Sequence, residues 1–175
     1  MTLGFAELKL GDIIELKGPI GHFIWKNQGT ALLDGVEKRI REIGMVCGGS
    51  GITPILQVVR GIFGDSSDTT TKVSVLDVNR FVEDILCRDE LDLLAAEHPT
   101  RLRIHYSLTG GQIPNDWSYS TGRITSEMLQ AHLPKAGEDG IVCICGPPPM
   151  ERQIKGGRES LCESGVRLMA LQAFY

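Results

Sequence analysis

Residues 43–63, IGMVCGGSGITPILQVVRGIF, constrain the fold of this chain more than any other stretch. A short apolar run stops at closely spaced glycines. Helical spacing follows at once, with Ile55, Val58, Val59 and Ile62 on one face. A strand that turns through glycines into a helix is the opening unit of a βαβ fold. Glycines at 48, 49 and 51 let the backbone turn tightly and let a ligand approach with no Cβ in the way. Exposed N–H groups and the positive end of the helix then form a phosphate site from Gly48, Gly49, Ser50, Gly51, Thr53 and Pro54. Thr53 suits the N-cap, and Pro54 suits the first helical position, where no N–H is needed. Gly49-Ser50-Gly51 begins a dinucleotide fingerprint, but Pro54 stands where its third glycine would be. A glycine-rich turn without a ligand stays open as the alternative for this segment alone.

The same alternation continues along the chain. Val73 to Val78, Leu102 to Leu108 and Ile141 to Cys145 read as strands, and Leu168 to Phe174 as a last short one. Asp84 to His98, Thr125 to His132 and Met150 to Ser164 read as helices. Ile85, Leu86, Leu91 and Leu94 form the apolar stripe of the first of these. This pattern predicts an α/β fold, a doubly wound parallel five-stranded sheet over residues 41–175. Residues 1–40 read as β structure, two short strands and a turn within LKLGDIIELKGPIGHFIW. So few strands cannot stand alone. The segment either packs on the rest or, the favoured reading, ends a domain that begins upstream.

A second segment, Cys145-Gly146-Pro147-Pro148-Pro149-Met150, closes the fourth strand. Ligands of open α/β sheets sit at the carboxyl ends of strands, where the strand order switches. The first and fourth strands adjoin there, so both loops are expected to flank one cleft. The prolines hold the second loop rigid and present Cys145. A buried cysteine before a turn is the commoner fate of such a residue.

The net charge of −4 gives no global attraction to nucleic acid. No apolar run approaches the roughly 18 residues of a membrane span, and the start has no secretory pattern. Five cysteines in apolar contexts fit reduced thiols and a cytoplasmic setting better than a disulfide framework. Cys143 and Cys145 are expected on opposite faces of their strand, and no metal site is expected. Of the other side chains, Arg88, Asp89, Glu90 and Asp92 read as a solvated helix face, and His98, His105 and His132 as scattered.

Four runs, MVCGGSGITPILQVVR, NRFVEDILCRDELD, DWSYSTGRITSEML and CGPPPM, occur in this order. Together they resemble the pyridine-nucleotide half of the cytochrome b5 reductase group, in the ferredoxin-NADP reductase superfamily. That group includes the flavin-reductase portion of assimilatory nitrate reductases, and among these the chain resembles the NADPH-using fungal type more than the plant or animal relatives. GPIGHFIW resembles the end of the family's flavin barrel, which makes residues 1–40 the last strands of a truncated barrel. The resemblance implies that the pyrophosphate of the coenzyme lies near Gly48 to Thr53 and its nicotinamide near Cys145, flanked by Gly146, Pro147, Pro148 and Met150. Hydride then passes to FAD, and electrons go on to a haem of the cytochrome b5 type. Cys145 carries over as the nicotinamide-positioning thiol and Thr53 as a polar contact. His22 is implied near the flavin, and Phe174 as a terminal aromatic covering it. A homodimer of the full-length enzyme is left open.

One departure bears on the coenzyme. NADH-using relatives carry an acidic residue after the strand that here reads Ile104 to Leu108. This chain has Thr109-Gly110-Gly111. The family's Gly-aromatic pair before the short helix is here Gly122-Arg123. Removing a carboxylate and adding a guanidinium suits a 2′-phosphate. NADPH is therefore expected, with NADH possible, and Arg123 and Thr109 at the phosphate. The family's Arg-x-Tyr-(Ser/Thr) and Gly-rich Met-Ser flavin segments do not occur. FAD is thus expected in the full-length enzyme rather than held by this chain, which is expected to be inactive alone. A stand-alone cytochrome b5 reductase and a nucleotide-binding domain without catalysis are the alternatives.

Overall fold

The structure, a computed structural model, describes residues 7–15, 21–135, 137, 139–156 and 167–170. Three short strands come first: β1 (Phe23–Asn27), β2 (Thr30–Leu33) and β3 (Val36–Arg39), antiparallel in that order. Their turns, Gln28-Gly29 and Asp34-Gly35, all have positive φ, the geometry that matches strand twist in two-residue hairpins. The strands therefore lie later than the alternation of residues 8–25 suggested. Residues 7–15 hold a turn and no strand, and Leu10 and Ile13 there are fully exposed.

The main sheet is built on β4 (Glu42–Cys47), β5 (Lys72–Asn79), β6 (Leu102–Leu108), β8 (Gly140–Cys145) and β9 (Arg167–Ala170). A two-residue edge strand, β7 (Ser120–Thr121), extends the expected five strands to the order β7-β6-β5-β4-β8-β9. Every pairing is parallel. β7 carries no apolar period that a sequence could reveal. Chain order reverses between β4 and β8, which are paired from Glu42↔Gly140 to Cys47↔Cys145.

Helix α1 (Ile52–Gly64) buries Ile52, Ile55, Leu56, Val59 and Ile62 against one face of the sheet. That spacing is the amphipathic period read as burial. The small sheet covers the same helix, with Ala31 and Leu33 inside the shared core and Trp25 beside Gly61. The second helix is shorter than expected. Asp84 ends a 3-10 turn over Val82–Asp84, and Cys87 takes a left-handed φ of 54° before α2 (Arg88–Glu97) begins. Leu86 thereby leaves the apolar stripe and is exposed. The polar face of α2 is also less solvated than expected. Arg60 makes two hydrogen bonds to Glu90, and Asp92 accepts from the Tyr106 hydroxyl at 2.8 Å.

Helix α3 (Ser126–His132) and helix α4 (Pro148–Gly156) cover the other face, over Val46, Leu76, Val142 and Ile144. The His105 and His132 rings, far apart in sequence, stack there with centroids 3.5 Å apart. Cys143 and Cys145 share one face with Ile141, because side chains two apart in a strand point the same way; the expectation of opposite faces is corrected. The last expected helix is described as far as Gly156; residues 157–164 of it, and Phe174, lie outside the described residues. Among the described residues, no helix is long and apolar enough to cross a membrane.

The N-cap of α3 is Thr125, whose Oγ1 accepts from the Met128 N–H at 3.2 Å. Thr125→Ala leaves that N–H without its partner and is expected to cost about 1 kcal/mol. Thermal unfolding followed by circular dichroism checks this, with a fall in Tm of about 3 °C expected.

Candidate functional site

The carboxyl ends of β4, β5, β6 and β8 open onto a cavity of about 630 Å3 at the reversal in strand order. Six of the coenzyme contacts expected from the sequence line it, Gly48, Gly49, Thr109, Arg123, Pro147 and Met150, together with Pro149 of the second loop. The two glycine-bearing loops do flank one cleft. The Gly48 N–H donates to the Cys145 carbonyl at 3.3 Å, so the loops are tied together at their roots.

The other candidates fall elsewhere. Ser50 and Thr53 are exposed at the start of α1, and Pro54 is in its first turn; none lines the cavity. The N-cap of α1 is Gly51, not Thr53, because a 3-10 turn over Gly49–Gly51 starts the helix earlier. Thr53 Oγ1 instead donates to the Ser50 carbonyl at 2.9 Å. Pro54 remains where a missing N–H is tolerated. Gly51, Cys145 and Gly146 are buried, and Pro148 faces outward away from the cavity lining. The Cys145 side chain belongs to the core under α1, 1% exposed. His22 lies beside the small sheet, its Nδ1 2.9 Å from Asp34 Oδ1, both side chains largely exposed.

The glycine loop spends much of its donor capacity on itself. The Gly49 N–H donates to Asn79 Oδ1 at 3.1 Å, and the Gly51 N–H to the Gly48 carbonyl at 3.1 Å. The Ile52 N–H turns back to the carbonyls of Gly49 and Ser50. The expected cradle of free N–H groups is thus largely consumed by the turn, and positive charge at the cavity comes from side chains.

Those side chains are Arg80 and Arg123, set against Glu83 and Asp84. Asp84 is fixed by accepting from the Phe81 N–H at 3.1 Å. The segment carrying Arg123 is clamped on both sides. The Gly122 N–H donates to the Leu108 carbonyl at 2.8 Å, and Ser107 Oγ donates to the Gly122 carbonyl at 2.9 Å. Gln153 Nε2 on α4 donates to the Ile124 carbonyl at 2.6 Å. Arg123 itself has no hydrogen-bond or ion-pair partner among the described residues. Thr109 contributes less than its position suggested: its N–H and its hydroxyl both donate to the Asn79 carbonyl, at 2.9 and 3.2 Å. Its oxygen then offers an incoming anion only lone pairs.

Beneath the glycine loop is a buried carboxyl that the sequence reading passed over. Asp77 is fully buried near the end of β5. Burial raises its pKa to about 6, against the opposing hydrogen bonds from Cys47, Asn79 and the Val78 backbone. The Cys47 Sγ–H donates to Asp77 Oδ1 at 3.3 Å, and burial in turn pushes the Cys47 thiol well up. Between the ordinary carboxylate pKa and 6, folded chains keep a proton that unfolded chains have lost. Asp77 therefore lowers stability as pH rises through that window. Asn79, Arg80 and Glu83 were also missed, although a carboxylate and an amide in the run Val73 to Asn79 break its apolar character and mark that strand end.

The family model described as "Oxidoreductase NAD-binding domain" matches residues 45–156. Nitrate reductase [NADH] of Hordeum vulgare is 41% identical over 152 residues, 86% of this chain and 17% of that protein. Nitrate reductase [NADPH] of Leptosphaeria maculans is 43% identical over 156 residues, 89% of this chain and 17% of that protein. The chain thus spans about a sixth of the length of these curated relatives. The crystal structure of the cytochrome b5 reductase domain of Ulva prolifera nitrate reductase superposes with a TM-score of 0.84 at 33% identity, covering 96% of this chain and 64% of that one.

Proposed function

The chain belongs to the oxidoreductase NAD-binding domain family, and on that premise we propose that it is the NADPH-binding module of an FAD-dependent reductase of the nitrate reductase type. In the intact enzyme the coenzyme would supply a hydride to FAD, and electrons would pass on to a haem domain of the cytochrome b5 type. This chain's own part is to bind and orient. Gly48 and Gly49 form the floor on which the pyrophosphate lies, and Pro147 and Met150 form the opposite wall. Thr53 and Cys145 lie on the nicotinamide side of the loop, Cys145 as a positioning residue whose carbonyl anchors Gly48.

The observation that carries the reading is Arg123: a guanidinium with no hydrogen-bond or ion-pair partner among the described residues, held at the cavity by its clamped neighbours, where Thr109-Gly110-Gly111 directly follows β6. A planar guanidinium that pairs with neither Glu83 nor Asp84, the carboxylates lining the same cavity, is suited to a phosphate dianion. Both coenzymes appear in the names of the relatives, so the chain's own residues decide. Calorimetric titration of the chain with NADP+ and NAD+ tests this. Tighter binding of NADP+ by at least about tenfold is expected for one charge-assisted phosphate contact. Equal affinities refute the NADPH preference, and no binding of either nucleotide refutes the module.

A further inference from the structure

The last full layer of the sheet, just below the cavity, is a row of buried titratable side chains. Cys145, Cys47, Asp77 and Tyr106 are register partners across β8, β4, β5 and β6, and all point to the α1 side. Asp77 is the only carboxylate in that row. Cys47 faces it from β4, with Cys145 beyond. Tyr106 faces it from β6, its hydroxyl held by Asp92 and its ring under the Arg88 guanidinium at 5.3 Å, both on α2. Among the described residues, no cation is among the groups that act on Asp77.

One step along β5, Asn79 links this row to the ligand loop. Its Oδ1 accepts from the Gly49 N–H, and the residue lines the cavity while 5% exposed. The Asn79 amide lies close enough to Asp77 to favour the charged carboxylate. Even so, Asn79 Nδ2 and Asp77 Oδ2 are both buried without a completed hydrogen bond. Two unsatisfied polar atoms of opposite kind, two residues apart on one strand face, are costly unless another state of the site uses them.

We propose that Asp77 is a positioning residue of the nucleotide loop, acting through Asn79, and that the coenzyme binds with uptake of a solvent proton onto the Asp77 carboxyl. The inference rests on the nucleotide-binding reading above. An ionised Asp77 places a buried negative charge under Gly49, where the pyrophosphate is to lie, and like charges disfavour each other in a dry site. Protonation removes the repulsion while leaving a carboxyl oxygen to accept from Asn79 Nδ2, which fixes the Asn79 carbonyl on Gly49. The raised pKa of Asp77 puts this exchange within reach of neutral pH.

The test is calorimetric titration of the chain with NAD+, which carries no titrating 2′-phosphate, at pH 6.5 in two buffers of different ionisation enthalpy. Uptake of about half a proton is expected if binding raises the Asp77 pKa by one unit. Affinity is then expected to weaken up to about tenfold from pH 5 to pH 8. Asp77→Asn is expected to abolish the uptake and flatten this profile. Cys47→Ala removes a donor that favours the charged form, so the break in the profile moves to higher pH; this variant serves if Asp77→Asn does not fold. Binding without proton uptake, or uptake unchanged in Asp77→Asn, overturns the inference. Absence of binding at every pH instead refutes the nucleotide-binding reading.

Discussion

Gly51→Ala is expected to unfold the chain about 10 °C earlier and to abolish nucleotide binding. Gly51 has an ordinary helical φ of −61°, so its backbone does not need glycine for conformational reasons. Space is what demands it. A Cβ there would run into the backbone carbonyl of Cys145 and come within 3.0 Å of the Gly146 Cα. Neither atom belongs to a flexible side-chain end, so one of the two loops must move. Ordinary overpacking costs about 1–3 kcal/mol, and a collision between two backbones falls at or above the top of that range. For a domain of this size about 3 kcal/mol corresponds to about 10 °C in Tm. Gly49→Ala is the informative contrast. Gly49 has φ of +56° with open space around its Cβ position, so alanine there costs about 1 kcal/mol of backbone strain and no collision. Thermal melts and NADP+ titrations of both variants decide the matter. A larger loss in Gly49→Ala than in Gly51→Ala would rule out the backbone collision as the cause.

Arg123→Phe is expected to lower the NADPH over NADH ratio of kcat/KM in the intact enzyme about a hundredfold, the size of a lost charge-assisted phosphate contact. The loss should appear with NADPH alone. Arg123 is exposed and has no partner among the described residues, so phenylalanine leaves no buried charge behind and the fold is not expected to suffer. The clamped backbone of Gly122 and Ile124 keeps position 123 at the cavity whichever side chain it bears. Because the contact is exposed, the preference should also shrink as salt rises. An unchanged ratio would remove Arg123 from the coenzyme site.

Much of this site was legible because glycine and proline restrict the backbone locally. The strand-loop-helix of residues 42–64 and the strand end at Cys145 follow from apolar runs stopped by such residues. The rule that ligands gather at strand ends then places Gly48 and Pro147 on one cleft from the sequence alone. What escaped depends on contacts between distant residues. The break at Cys87 arises from a left-handed residue that the continuous apolar stripe hides, and it turns Leu86 toward the cavity instead of the core. The use of loop N–H groups by Asn79 and Cys145 depends on strands 30 and almost 100 residues away meeting at one layer. The same holds for the pairing of Cys47 with Asp77, which no spacing within either strand could reveal. Residues 8–15 alternate without forming a strand, and the described strands β1–β3 are instead set by the two tight turns at Gln28-Gly29 and Asp34-Gly35.

The central claim is that the cavity between the Gly48 and Pro147 loops holds the reduced coenzyme. A crystal structure of this chain soaked with NADP+ addresses it directly. The account predicts the adenosine 2′-phosphate within hydrogen-bonding distance of the Arg123 guanidinium and the pyrophosphate over Gly48 and Gly49. A nucleotide bound elsewhere, or one whose 2′-phosphate points to solvent away from Arg123, would contradict it.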